Sequence, residues 1–418
     1  MTRFEAALAL ASGRVGVIPD AEAQAIARVC AAMRWNAAEL VDEARKAATL
    51  AVPFVRRLTQ EVAKASPDAA RYVHLGATSQ DVIDTALVLC VRPASARVVE
   101  LCGKLGDAAA ALAEKHAATP MLARTLLQPA IPVPFGWKVA TWLSPLTDAC
   151  ASFAAAAAGV QVLQFGGAGG TLSAYAARAE ALAQALAAEL QLALPPISWH
   201  SARDRMARLG AEAAILCGVA GKTARDVSLL MQAEIGELAE AGAGGSSAMP
   251  HKRNPARCLL ALEAAQRAPG LASTLLNQLT SEHERGLGQW QSQRIVLREL
   301  LGGCANALAV MAELLDTVQV DAAAMRANID RTRGLAFSEA VSLRLAATMG
   351  KAAAYAATEK LCERVAKEGV TLRDALNAHL SEAELDTLFQ PHSHYGDAPR
   401  MIERTVSRWR ATRRGKAS

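Results

Sequence analysis

Between Gly242 and Pro255 the chain reads GAGGSSAMPHKRNP, a run in which two serines lie between a flexible side and a stiff one. Gly242, Gly244 and Gly245 give the backbone freedom, while Pro250 and Pro255 fix the far side. Such a loop presents Ser246 and Ser247 as mobile hydroxyls from a firm base. Lys252 adds a compact positive charge and Asn254 a rigid amide, a pair suited to holding a carboxylate whose charge grows during a reaction. A glycine-rich linker with a solvated Lys-Arg pair has much the same composition, so composition alone does not decide.

Two further loops offer polar groups. HLGATSQD, from His74 to Asp81, places Thr78, Ser79 and Gln80 at a helix start, where hydroxyls and unpaired backbone N–H groups favour anions. Thr78 and Asp81 form a T-x-x-D start signal, and a plain helix cap would account for the same residues. ARTLLQPAIP, from Ala123 to Pro132, supplies Thr125 and Gln128. Three other strings stand out: FGGAGGT (Phe165 to Thr171), WHSARDR (Trp199 to Arg205) and EHERGLGQWQ (Glu282 to Gln291), which carries Arg285. His200 has a bland alternative as a surface histidine before Arg203, Asp204 and Arg205, which can pair among themselves. His392 and His394 read as surface loop residues rather than ligands.

The elements that position these loops must be helical. With 418 residues, 52% of them hydrophobic, the chain can bury a large core. Its apolar residues are mostly Ala and Leu, aromatics are 4%, and β-branched residues are scattered, which favours helix over strand. An all-α fold is expected. Leu216, Val219, Val227, Leu230 and Leu238 keep to one stripe of a helix, the pattern of a bundle. A second helix starts after Thr78 and runs through Ala109 towards His116, roughly 55 Å, with a kink expected at Pro93. A third follows Pro255 with Leu259, Leu260 and Leu262, and Pro269-Gly270 is expected to interrupt it. Without repeats or linkers to mark boundaries, the chain is divided into 1–85, an N-terminal helical domain, 86–335, a central bundle, and 336–418, a C-terminal helical domain.

Several function classes are disfavoured. The uncharged stretch from Ala149 to Ala177 exceeds the ~20 residues that cross a bilayer. It contains Gln161, Gln164 and four glycines between Gly166 and Gly170, and reads as a buried helix running into a tight loop. The N-terminus carries Glu5 early and does not resemble a secretory signal, so a cytoplasmic protein without membrane partners is expected. Eight widely spaced cysteines, with no CxxC pair and no zinc-like histidine spacing, read as reduced core residues rather than metal ligands. The net charge of +5 is not gathered in one block, and only RWRATRRGK near the end looks like a basic tail, so no nucleic-acid partner is expected.

The string GSSAMPHKRNP is similar to the G-S-S-x-M-P-x-K-x-N signature of the fumarase/aspartase superfamily, a long and restrictive match. The resemblance implies that Ser246 is the general base that removes a proton next to a carboxylate. Lys252 and Asn254 then match the carboxylate anchors, with Ser247 and Met249 beside them in the substrate loop. TSQD, WHSARDR, EHERGLGQWQ and FGGAGGT look most like the 3-carboxy-cis,cis-muconate cycloisomerases of that superfamily, so the resemblance covers almost the whole chain. It implies substrate contacts from Thr78, Ser79 and Gln80, from Thr125 and Gln128, and from His200 and Arg285. It also implies three helical domains around a long central bundle, and a homotetramer whose sites draw the loops from different subunits. The substrate would be a small anionic polycarboxylate, converted with no cofactor and no metal.

Departures bear on the leaving group. Superfamily lyases that expel an amine or hydroxide commonly carry a histidine directly after the R-T pair, where this chain has Leu126. The cycloisomerases often have one three residues further on, where this chain has Pro129. The helix FEAALA begins at Phe4, earlier than in family members, which usually have a preceding segment that contributes to the active-site wall. The expected reaction joins 3-carboxy-cis,cis-muconate to a carboxymuconolactone by carboxylate addition and elimination. Its rivals are a C–N lyase acting on an N-substituted aspartate such as adenylosuccinate, and a catalytically silent helical tetramer.

Overall fold

A computed structural model describes residues 1–414 apart from Ala243, Ser246, Ser247 and Ala378. The all-α expectation holds, with seventeen α-helices and four short strands among the described residues. Five long helices dominate: Ser79–Lys115, Phe135–Gly159, Asp204–Leu230, Ala256–Leu276 and Gln289–Thr317. The first starts where Thr78 and Asp81 signalled, the Thr78 N–H donating to Asp81 Oδ2 at 3.0 Å. Pro93 lies inside that helix without ending it. One lost hydrogen bond is offset there by an apolar stripe that continues on both sides, through buried Val88, Val91, Val98, Leu101 and Leu105.

Pro269-Gly270 does not interrupt its helix either, contrary to expectation. The helix Ala256–Leu276 runs unbroken through them, because Cys258, Ala261, Ala264, Ala268, Ala272 and Leu275 are buried along one face. Leu259 and Leu260, part of the helix's apolar signal in the sequence, are exposed. A second correction concerns the stripe from Leu216 to Leu238. The helix ends at Leu230, Gly236 turns the chain at φ +63°, and Leu238 falls in a two-residue strand, Leu238–Ala239, paired with Gln319–Val320.

Spatially the chain forms two compact units: residues 1–98, 152–214 and 269–302 make one, and 99–151, 215–268 and 303–418 the other. In the first, helix Thr2–Arg14 packs on helix Asp20–Ala32, and Phe4 meets Phe165 edge to face with ring centroids 6.5 Å apart. In the second, helices Ser338–Met349 and Lys351–Glu368 close over Val341, Leu345, Leu361, Val365, Leu372 and Leu376. The stretch read as a basic tail is, up to Arg414, the end of helix Ala398–Arg414. Trp409 is buried there and donates to Asp107 Oδ1 at 2.8 Å, while Arg410 pairs with Glu114 at 2.6 Å and Arg408 with Asp148. Its charges are thus largely met within the unit.

Ala149–Ala177 is a helix end followed by a glycine turn, as expected, but that helix end is not buried throughout, since Ala151, Ser152, Ala155, Ala158 and Gly159 are exposed. Among the described residues the helix long and apolar enough to cross a bilayer is instead Gln289–Thr317, half of whose apolar window is buried. Six cysteines are buried, whereas Cys90 is exposed and Cys362 half-buried, so those two are not core residues. His392 is exposed, but His394 is half-buried with Nε2 2.6 Å from the Leu388 carbonyl oxygen.

In the first unit Glu5, almost wholly buried, lies with Oε1 2.6 Å from His74 Nδ1. Burial disfavours the charged imidazole, but the Glu5 carboxylate and the charge of Asp81 outweigh it and raise the His74 pKa above its ordinary 6.5. The folded value lies above the unfolded one, so the pair's stabilisation is complete below about pH 6.5 and is lost as pH rises through the raised value. The Tm gap between the parent and Glu5→Gln is therefore expected to shrink across that window. A gap constant from about pH 6 to about pH 9 would rule out an ion pair here.

Candidate active site

In the first unit three segments meet at Asp81, whose side chain has no exposed surface. Its Oδ1 accepts from the Gly166 N–H at 3.0 Å and lies 2.7 Å from His200 Nε2. Its Oδ2 accepts from the Gly167 N–H at 2.9 Å and the Thr78 N–H at 3.0 Å. The TSQD loop, the glycine turn and the WHSARDR segment are thereby locked together. Gly166 admits no side chain, since a Cβ there would sit 2.7 Å from Ser198 Cβ and 2.9 Å from His200 Cε1.

One helical turn on, Asp84 takes a two-pronged ion pair from Arg203, at 2.7 and 3.0 Å, with both side chains buried. Arg203 also stacks over Trp199, 4.8 Å from its ring centroid. These contacts overturn the surface reading of His200 and of an Arg203-Asp204-Arg205 cluster. His200 is 3% exposed, Arg203 pairs with Asp84, and Asp204 faces Arg208 at 3.7 Å. Asp81, Asp84 and Arg203 were not singled out as site residues. Their signal was the D-x-x-D spacing after Thr78, which puts both carboxylates on one helix face.

Arg285 closes this arrangement. Its Nε donates to Gln80 Oε1 at 3.2 Å, Nη1 to Thr78 Oγ1 at 3.2 Å, and Nη2 to the carbonyls of Gly167 at 3.3 Å and Ala168 at 3.1 Å. All four partners are neutral, and the guanidinium is only half-buried. Thr78 and Ser79 are half-buried beside it, whereas Gln80 is completely enclosed. The structure thus brings Thr78, Gln80, His200 and Arg285 into one cluster around an accessible positive charge.

The second unit holds the other two loops. Residues of the ARTLLQPAIP string form an antiparallel hairpin, Pro120–Thr125 with Gln128–Pro134, where a loop was expected. Thr125 and Gln128 are its last pair, both exposed, and Leu126 and Leu127 make the turn at φ +52° and +65°. Such turns favour Asn and Gly, so Leu-Leu gave no turn signal. The hairpin is tied down by a fork from Arg124 to Glu237, at 3.1 and 2.6 Å. Glu237 is fully buried and also accepts from Asn328 Nδ2 at 2.7 Å, an arrangement that nothing in the sequence announced.

The signature loop is framed at both ends. Glu240 is buried and accepts from the Arg257 and Cys258 N–H groups, both at 3.3 Å, capping helix Ala256–Leu276. The Asn254 N–H donates to the Gly244 carbonyl at 2.8 Å and its Nδ2 to the Gly245 carbonyl at 3.2 Å. Met249 and Lys252 are exposed on the loop, with the Lys252 N–H donating to the Met249 carbonyl at 3.0 Å. Ser246 and Ser247 lie outside the described residues.

Nearly the whole chain matches known proteins. A lyase family model matches residues 1–270, and a model described as adenylosuccinate lyase C-terminus matches residues 334–405. A 3-carboxy-cis,cis-muconate cycloisomerase of Bradyrhizobium diazoefficiens is 43% identical over 415 residues, covering 97% of this chain and 92% of the relative. A nitrosuccinate lyase of Streptomyces davaonensis is 39% identical, covering 97% of this chain and 89% of the relative. The crystal structure of the 3-carboxy-cis,cis-muconate lactonizing enzyme from Pseudomonas putida superposes with a TM-score of 0.93 at 40% identity, covering 98% of this chain and 93% of that one. On these matches, and on its all-helical fold, the chain belongs to the lyase family of the fumarase/aspartase superfamily.

Proposed function

We propose that the protein interconverts 3-carboxy-cis,cis-muconate and a carboxymuconolactone. The observation that carries this reading is the 43% identity, over 97% of the chain, to a protein named for that reaction. The geometry agrees with it. A half-buried guanidinium whose hydrogen-bond partners among the described residues are all dipoles, beside hydroxyls at a helix start, suits a carboxylate ligand.

In the elimination direction Ser246 takes the proton alpha to a carboxylate, Lys252 and the hydroxyls of Thr78 and Ser79 hold the dianion, and the C–O bond of the lactone breaks. The electron pair leaves with the ring carboxylate. In lactonisation that carboxylate adds across the double bond and the serine returns the proton. A carboxylate of pKa about 4 leaves as a stable anion, whereas an amine of pKa about 10 needs protonation as it departs. Leu126 and Pro129, where relatives carry histidines, fit the first case.

Asn254 serves this reading as a second anchor, with Met249, Ser247, Thr125 and Gln128 as further substrate contacts. A cytoplasmic homotetramer with sites shared between subunits, and the division at residues 85 and 335, belong to the same proposal.

A second reading, a C–N lyase of a substituted succinate, has the adenylosuccinate lyase C-terminus match and the nitrosuccinate lyase relative in its favour. Separate incubation of the purified protein with carboxymuconate, adenylosuccinate, argininosuccinate, nitrosuccinate and fumarate, followed by ultraviolet absorbance, tests both. Turnover of carboxymuconate alone is the expected result. Turnover of a nitrogen-bearing substrate without carboxymuconate would replace the first reading by the second, and no turnover at all would favour a silent scaffold.

A further inference from the structure

We infer that Gln80 is a positioning residue, whose enclosed amide orients the Arg285 guanidinium so that it and the Thr78 hydroxyl together receive a substrate carboxylate. The inference rests on the polycarboxylate reading above and assigns one subsite within it.

The amide of Gln80 has only one workable orientation. Its Nε2 donates to Asp84 Oδ2 at 3.0 Å and to the His200 carbonyl at 2.8 Å, both acceptors. A flipped amide would set its oxygen against both of them, and with no exposed surface it could not turn to water instead. Asp84 is itself fixed by the Arg203 fork, and the same Arg203 also donates to Gln293. The Gln80 carbonyl oxygen is therefore held towards Arg285 Nε, 3.2 Å away.

That contact has consequences for the anion. A guanidinium has five N–H groups in one plane, so engaging Nε fixes where the other four point. Two on Nη2 go to the Gly167 and Ala168 carbonyls, and one on Nη1 goes to Thr78 Oγ1. The second Nη1 N–H has no acceptor among the described residues, and it lies next to a Thr78 hydroxyl that accepts from Arg285 and so keeps its own O–H for another acceptor. One carboxylate can take both donors. Gln80 touches no substrate in this scheme and acts only through Arg285.

The test is a double-mutant cycle of Gln80→Met and Arg285→Lys on carboxymuconate turnover, with calorimetric binding of propane-1,2,3-tricarboxylate as the parallel readout. Each single variant is expected to raise KM and the tricarboxylate Kd by about tenfold with kcat within about threefold of the parent, and the double variant to be little worse than either. A merely structural Gln80 would lower Tm without this split, and its effect would multiply with that of Arg285→Lys. Either result would overturn the inference. Should Gln80→Met fail to fold, Gln80→Asn takes its place in the cycle, since the shorter amide keeps the buried site polar while withdrawing from Arg285. A parent that neither turns over carboxymuconate nor binds the tricarboxylate overturns the proposed function and this inference together. An active parent with an unchanged KM in the Gln80 variant overturns this inference alone.

Discussion

Replacing Ser246 with alanine is expected to lower kcat on carboxymuconate by at least ~10²-fold, the usual scale for removing a positioned general base. The loop leaves room for that loss to be read cleanly. Its frame is made by the backbone bridge between Asn254 and Gly244 and by the Glu240 cap on helix Ala256–Leu276, neither of which uses a serine side chain. Tm and oligomeric state should therefore stay at the parent's values. Lys252 and the Thr78–Arg285 cluster would still be present to bind substrate, so KM should move far less than kcat. Ser247→Ala is expected to do less harm than Ser246→Ala. A Ser246→Ala protein with rates within about threefold of the parent would require the base to be sought elsewhere.

Helices were legible because their signals are local and redundant. The Thr78–Asp81 start, the Ala and Leu content and the stripe from Leu216 to Leu230 each stand in consecutive residues. What the sequence hid depends on distant partners. Pro269-Gly270 signals a break and Pro93 a kink, yet both prolines lie inside helices whose buried faces continue on either side. The hairpin at Leu126-Leu127 lacks turn residues and depends on Glu237, more than a hundred positions away from Arg124. A surface alternative stayed open for His200 because nothing near it in sequence shows that its ring meets Asp81. Residues of the signature loop could be read for chemistry, while the carboxylates that hold the Thr78 loop in place became visible only in three dimensions.

The second large effect concerns the leaving group and turns on Leu126→His. Leu126 is 97% exposed and sits at φ +52°, a backbone region that leucine tolerates poorly and histidine adopts several-fold more readily than most residues. The substitution should therefore leave the hairpin intact and change Tm little, so any change in rate reflects chemistry. If a carboxylate departs, no charge develops on nitrogen or hydroxide for an imidazole to quench, and kcat/KM on carboxymuconate should not rise. If instead the protein is a C–N lyase lacking its acid, a histidine restored after the R-T pair should raise its rate by as much as ~10²-fold, provided the ring reaches the departing nitrogen. Measuring kcat/KM for parent and variant on carboxymuconate and adenylosuccinate gives opposite expectations for the two chemistries. A gain confined to adenylosuccinate, on top of measurable parent activity with it, would overturn the cycloisomerase assignment. An unchanged or slower rate with carboxymuconate, and none with adenylosuccinate, would mean that the lactone's own carboxylate leaves unaided, as Leu126 and Pro129 lead one to expect.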